Sequence, residues 1–366
     1  MGREARRSYD LEQVEIVPSR RTRSSQEVST AWQLDAYPFS IPLVTHPSDA
    51  VVSPASAVRI GQLGGLAVLN AEGLWARHAD ADAALARVVA AAADSPDTAV
   101  ALLQELHAVP IDTGLLTEAL KRVREAGVTV AARVSPQRAR ELAPDLLAAG
   151  VEVLVVQGTI ISAEHVSRGA PLNLKDFIAS LDVPVVAGGC GDYRTAMHLM
   201  RTGAAGVIVG YGESSATTTD AVLGIGVPMA TAIVDAAAAR RDYLDETGGR
   251  YVHVIADGGM DHSGDLATAI ACGADAVMLG EQLTEAADAP GRGLYWTSAA
   301  AHPSLPRSEV TGFGGPGTRD LATVLFGPSS TPNGTVDLFG ALRRAMAKTG
   351  YSDLKEFQRV GLTVRS

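Results

Sequence analysis

Three clusters in the chain carry residue types at spacings that chemistry requires. The first is "IADGG", residues 255–259, where Asp257 precedes Gly258 and Gly259 at the end of an apolar run. Bare glycine amides beside a helix start, here "HSGDLATAI", can cradle a phosphate, and Asp257 can accept hydrogen bonds from a sugar diol. A tight turn in which Asp257 caps the following helix explains the same residues equally well. The second cluster is "MLGE", residues 278–281, which closes another apolar run with Gly280. Successive strand ends of this kind share one phosphate in many barrels, so the pair points to a mononucleotide or sugar-phosphate site. Glu281 is the anomaly, a carboxylate where a phosphate-contacting hydroxyl is expected. It repels a dianion unless it points away or caps a helix.

The third cluster is "GYGESSATTTD", residues 210–220. Gly210 and Gly212 allow a sharp exit from a strand, and Ser214 to Thr219 supply hydroxyls on the loop that follows. The alternative is a loop that caps the next helix through Thr219 or Asp220. His46, ending the run "IPLVTH", has the chemistry of an acid or base near neutral pH, although a hydrogen-bonded loop histidine is the expected role. The two cysteines, Cys190 and Cys272, stand among apolar residues with no CxxC or Cys/His spacing. No metal site is expected, and a reducing compartment fits.

Eight apolar runs must position these clusters: "IPLVTH", "GLAVLN", "VTVAARV", "VEVLVVQG", "VPVVAGG", "GVIVGYG", "YVHVIADGG" and "DAVMLGE". Each is closed by a small or polar residue, and most lead into an Ala/Leu-rich helical stretch. Continuous apolar strands alternating with helices predict a parallel sheet buried on both faces, and eight such units predict a closed (β/α)8 barrel, the TIM-barrel architecture, as a single α/β domain over 1–366. Helix ends are legible too, with Thr113 as N-cap and Gly127 as stop around "LLTEALKRVREAG". Two segments break the alternation. About 55 residues between the second and third strands hold the added amphipathic helix "ADADAALARVVAAAADS". A Gly/Pro/Ser-rich segment after the eighth strand, about 289–335, is too long for an ordinary loop and reads as a flap over the catalytic face.

A net charge of −10 argues against a nucleic-acid or membrane-surface binder. No apolar run is long enough for a membrane span, and the charged start "MGREARRSYD" lacks a signal peptide's apolar stretch, so a cytoplasmic protein is expected.

Taken in order, these clusters resemble the IMP dehydrogenase/GMP reductase family along nearly the whole chain. "YDLEQVEIVPSRRTRSSQEVSTAWQL" is similar to the family's N-terminal arm, and "VGYGESSATTTDAVLGIGVPMATAI" to its active-site loop and following helix. "VIADGGMDHSGDLATAIACGADAVMLGEQLTEAADAPG" and "LFGALRRAMAKTGYSDLKEF" match farther on. The nearest subgroup is the IMP-dehydrogenase-related paralogue of actinobacteria, which lacks the regulatory CBS pair; the segment after the second strand is too short to hold one.

The resemblance implies NAD-dependent oxidation of IMP to XMP, a step of GMP biosynthesis in purine nucleotide metabolism. In the family a cysteine adds to C2 of the purine, and here that position is Thr217, a far weaker nucleophile. Thr219 keeps the place of a threonine that activates water. Asp257 matches the ribose-binding aspartate, Ser215 the phosphate-binding serine, and Gly258, Gly259 and Gly280 the phosphate-loop glycines. Against these, Glu281 replaces a serine and Ser48 a methionine. On the NAD side, Gln157 and Gly189 stand where an aspartate and an asparagine are usual. The flap lacks the family's Tyr-Arg-Gly-Met-Gly pattern. The resemblance further implies a monovalent cation on the loop carbonyls, a homo-tetramer, and IMP, GMP or XMP as ligand. Low or absent activity is expected. The alternative is a catalytically silent purine-nucleotide-binding regulator, or a partner of an active paralogue in a mixed oligomer.

Overall fold

The computed structural model of the chain describes residues 5–163, 171–303, 308–312 and 317–365. Eight strands form its centre: β1 (Leu43–Thr45), β2 (Val68–Asn70), β3 (Ala131–Val134), β4 (Val153–Gln157), β5 (Val185–Cys190), β6 (Gly206–Glu213), β7 (His253–Gly258) and β8 (Ala276–Leu279). They coincide with the eight apolar runs. Every residue of β4 and β5 is buried, which is why these runs are continuous rather than alternating.

The strands pair in parallel from β1 through β8 and back down to β2. A parallel bridge between Val44 and Leu66 joins the two ends, with the Thr45 amide donating to the Leu66 carbonyl at 2.9 Å, so the sheet closes into a (β/α)8 barrel. The hairpin of Trp32–Leu34 and Tyr37–Phe39 covers its lower end, where the Trp32 ring meets His253 edge-on at 6.0 Å. Nearby, Val14–Ile16 pairs with Leu362–Val364 and ties the two ends of the chain together.

The segment between β2 and β3 holds no CBS pair. It contains the expected helix, Ala81–Asp94, and a second, Pro96–Ala108, packed against it, before the barrel helix Thr113–Glu125. The cap of that barrel helix is Asp112 rather than Thr113. Its carboxylate accepts from the Gly114 and Leu115 amides, a bond the Thr113 side chain is too far into the helix to make. After β8 the chain forms a short antiparallel pair, Leu294–Tyr295 with Thr311–Gly312, then a helix, Leu321–Phe326, before the closing helix Leu338–Lys348. No helix among the described residues is long and apolar enough to cross a membrane.

Candidate functional site

The clusters singled out in the sequence meet at the C-terminal ends of the strands. The β5–β6 register shifts between Gly188 and Cys190, and the β6–β7 register between Ala256 and Gly258. Such bulges re-aim side chains at a barrel rim. Gly210 takes φ +112 and would press any Cβ onto the Asp257 carbonyl, so glycine is required where β6 turns outward.

Two spaces flank Asp257. The larger, about 510 Å³, is lined in part by His46, Gln157, Gly189, Thr217 and Thr219, and is roofed by Thr297 and Ser298 from the segment after β8. The smaller, about 20 Å³, lies among Glu213, Gly258, Gly280, Glu281 and Tyr295. The expected site residues are therefore divided between a roomy side and a nearly filled one; Ser215 and Gly259 line neither.

The loop after β6 is tied down. The Thr217 hydroxyl donates to the Gly212 carbonyl and lies 3.1 Å from the Ser214 hydroxyl. The segment after β8 docks on this loop: Thr217 bridges to Ser308, and both the Ser308 hydroxyl and the Glu309 amide donate to the Ala216 carbonyl at 2.9 Å. Thr219 is buried in the first turn of the helix Thr219–Leu223, whose cap position is Thr218 rather than Thr219 or Asp220. Neither cysteine offers a substitute nucleophile. Burial pushes both thiols up to about 12, and Cys190 Sγ donates to the Ile208 carbonyl.

Two of the three expected phosphate-loop glycines have their amides engaged within the chain. The Gly259 amide donates to the Glu213 carbonyl at 3.0 Å and the Gly280 amide to Gln282 Oε1 at 3.4 Å. The Tyr295 ring lies against Gly280 so closely that a Cβ there would strike it. Glu281 neither points away nor caps a helix: its carboxylate accepts from the Ser215 amide at 3.1 Å and from the Ser215 hydroxyl. Ser48, buried, donates to the Trp296 carbonyl and so joins the β1 loop to the segment above it.

Asp257 is buried and accepts from Gln157 Nε2 at 3.0 Å. Burial, and then the neighbouring Glu213, hold its carboxyl well above the ordinary range, while the Gln157 hydrogen bond acts in the opposite sense. His46 differs from the hydrogen-bonded loop histidine expected. Its Nδ1 is buried without a hydrogen-bond partner among the described residues, its ring stands edge-on to Tyr295 at 6.1 Å, and burial pulls it down to about 3. It is a neutral ring at physiological pH. Glu213 and Tyr295 were not singled out in the sequence. Glu213 was in view inside the glycine loop, but only the fold brings it beside Asp257.

Burial raises Glu213 to about 7 from its ordinary 4.5. A carboxyl raised in the folded state is disfavoured as the ion, so this site costs stability as pH climbs from about 4.5 to about 7, and the cost then levels off. Glu213→Gln is expected to stabilise the protein by on the order of 2 kcal/mol near pH 8 and by little near pH 5. Urea unfolding at the two pH values measures the difference; an equal effect at both would mean that Glu213 ionises normally.

Residues 8–302 match the IMP dehydrogenase / GMP reductase domain. The chain belongs to the IMP dehydrogenase/GMP reductase family. Among its relatives is an uncharacterized oxidoreductase of Mycolicibacterium smegmatis, 65% identical over 370 residues, covering 100% of this chain and 99% of that protein. The inosine-5'-monophosphate dehydrogenase of Haemophilus influenzae is 42% identical over 147 residues, which cover 40% of this chain and 28% of that enzyme. A solved IMP dehydrogenase/GMP reductase-like protein from Corynebacterium glutamicum superposes with a TM-score of 0.94 at 56% identity, covering 100% of this chain and 96% of that one. In the present chain the loop after β6 carries Thr217, whose hydroxyl donates to the Gly212 carbonyl.

Proposed function

We propose that this family member binds a purine nucleoside, free or as its monophosphate, at the barrel mouth and does not carry out the family's covalent chemistry. The observation that carries the reading is Thr217. Its hydroxyl is engaged by the Gly212 carbonyl, and an alcohol without a paired base is a poor nucleophile. The family's activity, oxidation of IMP to XMP with NAD, therefore has no attacking group here. Thr219 remains as the residue placed to orient water. The 510 Å³ space beside Asp257 supports binding, being of the size small-molecule pockets have.

The residues do not fit NAD. Gln157 Nε2 is already on Asp257, and Gly189 has no side chain and no room for one, because a Cβ there would run into the Gly210 carbonyl. Hydride transfer is not part of the proposal. The Gly212 carbonyl, one that a monovalent cation would use, already accepts the Thr217 hydroxyl. Binding without turnover suits a sensor, or a partner of an active paralogue within a mixed tetramer.

The protein is expected to give no NADH above background with IMP and NAD, and Thr217→Cys alone is expected to give none either. Steady NADH production that survives Thr217→Ala would overturn the silent reading. Calorimetry with inosine, guanosine and their monophosphates tests the ligand class, and no heat from any of them would end the purine reading.

A further inference from the structure

The structure already holds an anion in the small space beside Asp257, and that anion belongs to the chain. Glu281 follows β8 directly, and its carboxylate accepts from the Ser215 amide at 3.1 Å and from the Ser215 hydroxyl. The Ser215 hydroxyl lies 2.6 Å from that of Thr311. Two donors of the loop after β6 thus meet one carboxylate, and the segment after β8 reaches it only through the Ser215 hydroxyl. The neighbouring glycine amides are engaged too, Gly259 by the Glu213 carbonyl and Gly280 by the Gln282 side chain. The Tyr295 ring fills what remains, and about 20 Å³ is left, room for a water molecule. An incoming phosphate would need the same Ser215 donors and would meet the Glu281 carboxylate at close range.

The larger space on the other side of Asp257 differs in character. Three of its lining side chains hold a buried polar atom with no partner among the described residues: His46 Nδ1 and Gln157 Oε1, in residues 7% exposed, and Arg138 Nε. His46 and Gln157 are uncharged, whereas Arg138 is a cation whose Nη2 pairs with Glu141 at 2.7 Å. The guanidinium of Arg133 in the same wall is committed to the Gln157 carbonyl at 2.8 and 3.1 Å and faces Glu72 at 3.5 Å. The unsatisfied atoms of His46 and Gln157 call for a polar ligand, and the Arg133 and Arg138 cations beside them already face Glu72 and Glu141.

We infer that Glu281 sets the ligand class of this site: its carboxylate is the resident occupant of the anion cradle, so the 510 Å³ space takes an uncharged purine nucleoside in preference to the monophosphate. The inference rests on the purine-binding reading for the nucleoside and on the Ser215–Glu281 geometry for the cradle. Glu281→Ser removes the carboxylate and leaves a small hydroxyl; Glu281→Gln keeps the size without the charge.

Calorimetry with inosine and IMP, and melting curves with inorganic phosphate, are run on the unmodified chain and on both variants. A ligand held only by the folded state raises its melting point. The unmodified chain is expected to bind inosine at least about 10-fold tighter than IMP and to gain nothing from phosphate. Glu281→Ser is expected to gain at least about 10-fold in IMP affinity, with inosine unchanged, and to be protected by phosphate. Equal affinity of the unmodified chain for inosine and IMP overturns the inference, as does a lack of gain for IMP and phosphate in both variants. If neither purine binds any form, the purine reading falls, and phosphate still decides the cradle: protection of the variants alone upholds it, and protection of none or of all overturns it.

Discussion

Replacing Asp275 by alanine is expected to cost about 3–5 kcal/mol, the range for removing one partner of a buried ion pair. Asp275 stands just before β8 at the lower end of the barrel and is 3% exposed. Its carboxylate accepts from Arg240 Nη1 at 2.7 Å, from the Tyr251 hydroxyl at 2.8 Å and from the Val254 amide at 2.9 Å, and it also meets Lys355. Alanine would leave the Arg240 guanidinium, itself buried, with the Gly273 carbonyl and the face of the Tyr251 ring but no carboxylate. Lys355, half exposed, can turn to water and contributes little to the loss. Burial alone would raise the Asp275 carboxyl, but Arg240 and then Lys355 pull it down to about 2 from an ordinary 3.8.

A depressed carboxyl stabilises the fold above its unfolded value and ceases to do so as pH falls through the folded one. The contribution is therefore complete above about pH 4 and fades toward about pH 2, and in Asp275→Ala this acid dependence should be missing. Urea midpoints at about pH 7 and about pH 3 measure both parts. A loss below about 1 kcal/mol at neutral pH would show that Arg240 finds another partner.

This acid window is separate from the one set by Glu213. One carboxylate near the lower end is held ionised by cations. The two carboxyls at the mouth are held toward neutrality by burial, with Glu213 adding to the effect on Asp257. The barrel thus places the Asp275 ion-pair cluster away from the ligand side, where Arg77, Arg133, Arg138 and Glu72 line the larger space.

The barrel was legible because its strands are buried on both faces, so each run from "IPLVTH" to "DAVMLGE" stands out as an unbroken apolar stretch. Helix ends were legible only to within a residue. Asp112 and Thr113 are both good caps by type, and the backbone decides between them. The helix Leu321–Phe326 went unread inside the long segment after β8, since six residues between glycine- and proline-rich stretches carry too little periodicity. At the site, the sequence located Asp257, Thr217 and Glu281 but not their partners. The amides of Gly259 and Gly280 looked free because a glycine amide leaves no mark in the sequence of where it donates. Tyr295 was invisible for a related reason, since only the antiparallel pairing with Thr311–Gly312 folds it back over Gly280.

Gly189→Asn restores the residue that the family resemblance expects at the end of β5, and it is expected to damage the protein rather than return a function. A Cβ at this position would collide with the Gly210 carbonyl oxygen and would lie 3.1 Å from the Thr159 carbonyl. Both obstacles are backbone, one in the neighbouring strand, so no side-chain rotation relieves them. The expected cost is about 3 kcal/mol, at the upper end of overpacking penalties. Gly189→Ala should cost nearly as much, because the collision begins at Cβ and polarity plays no part. Urea unfolding of the two variants measures this, and a cost below about 1 kcal/mol for Gly189→Ala would mean that β5 and β6 can part without penalty. Adding Thr217→Cys to Gly189→Asn is then expected to yield no NADH from IMP and NAD. The thiol would enter a site whose cofactor wall is closed by packing and whose anion cradle is held by Glu281. Restoring a cysteine takes one codon, but any side chain at position 189 must displace the Gly210 carbonyl, and on the proposed reading it is that packing which keeps the NAD wall closed.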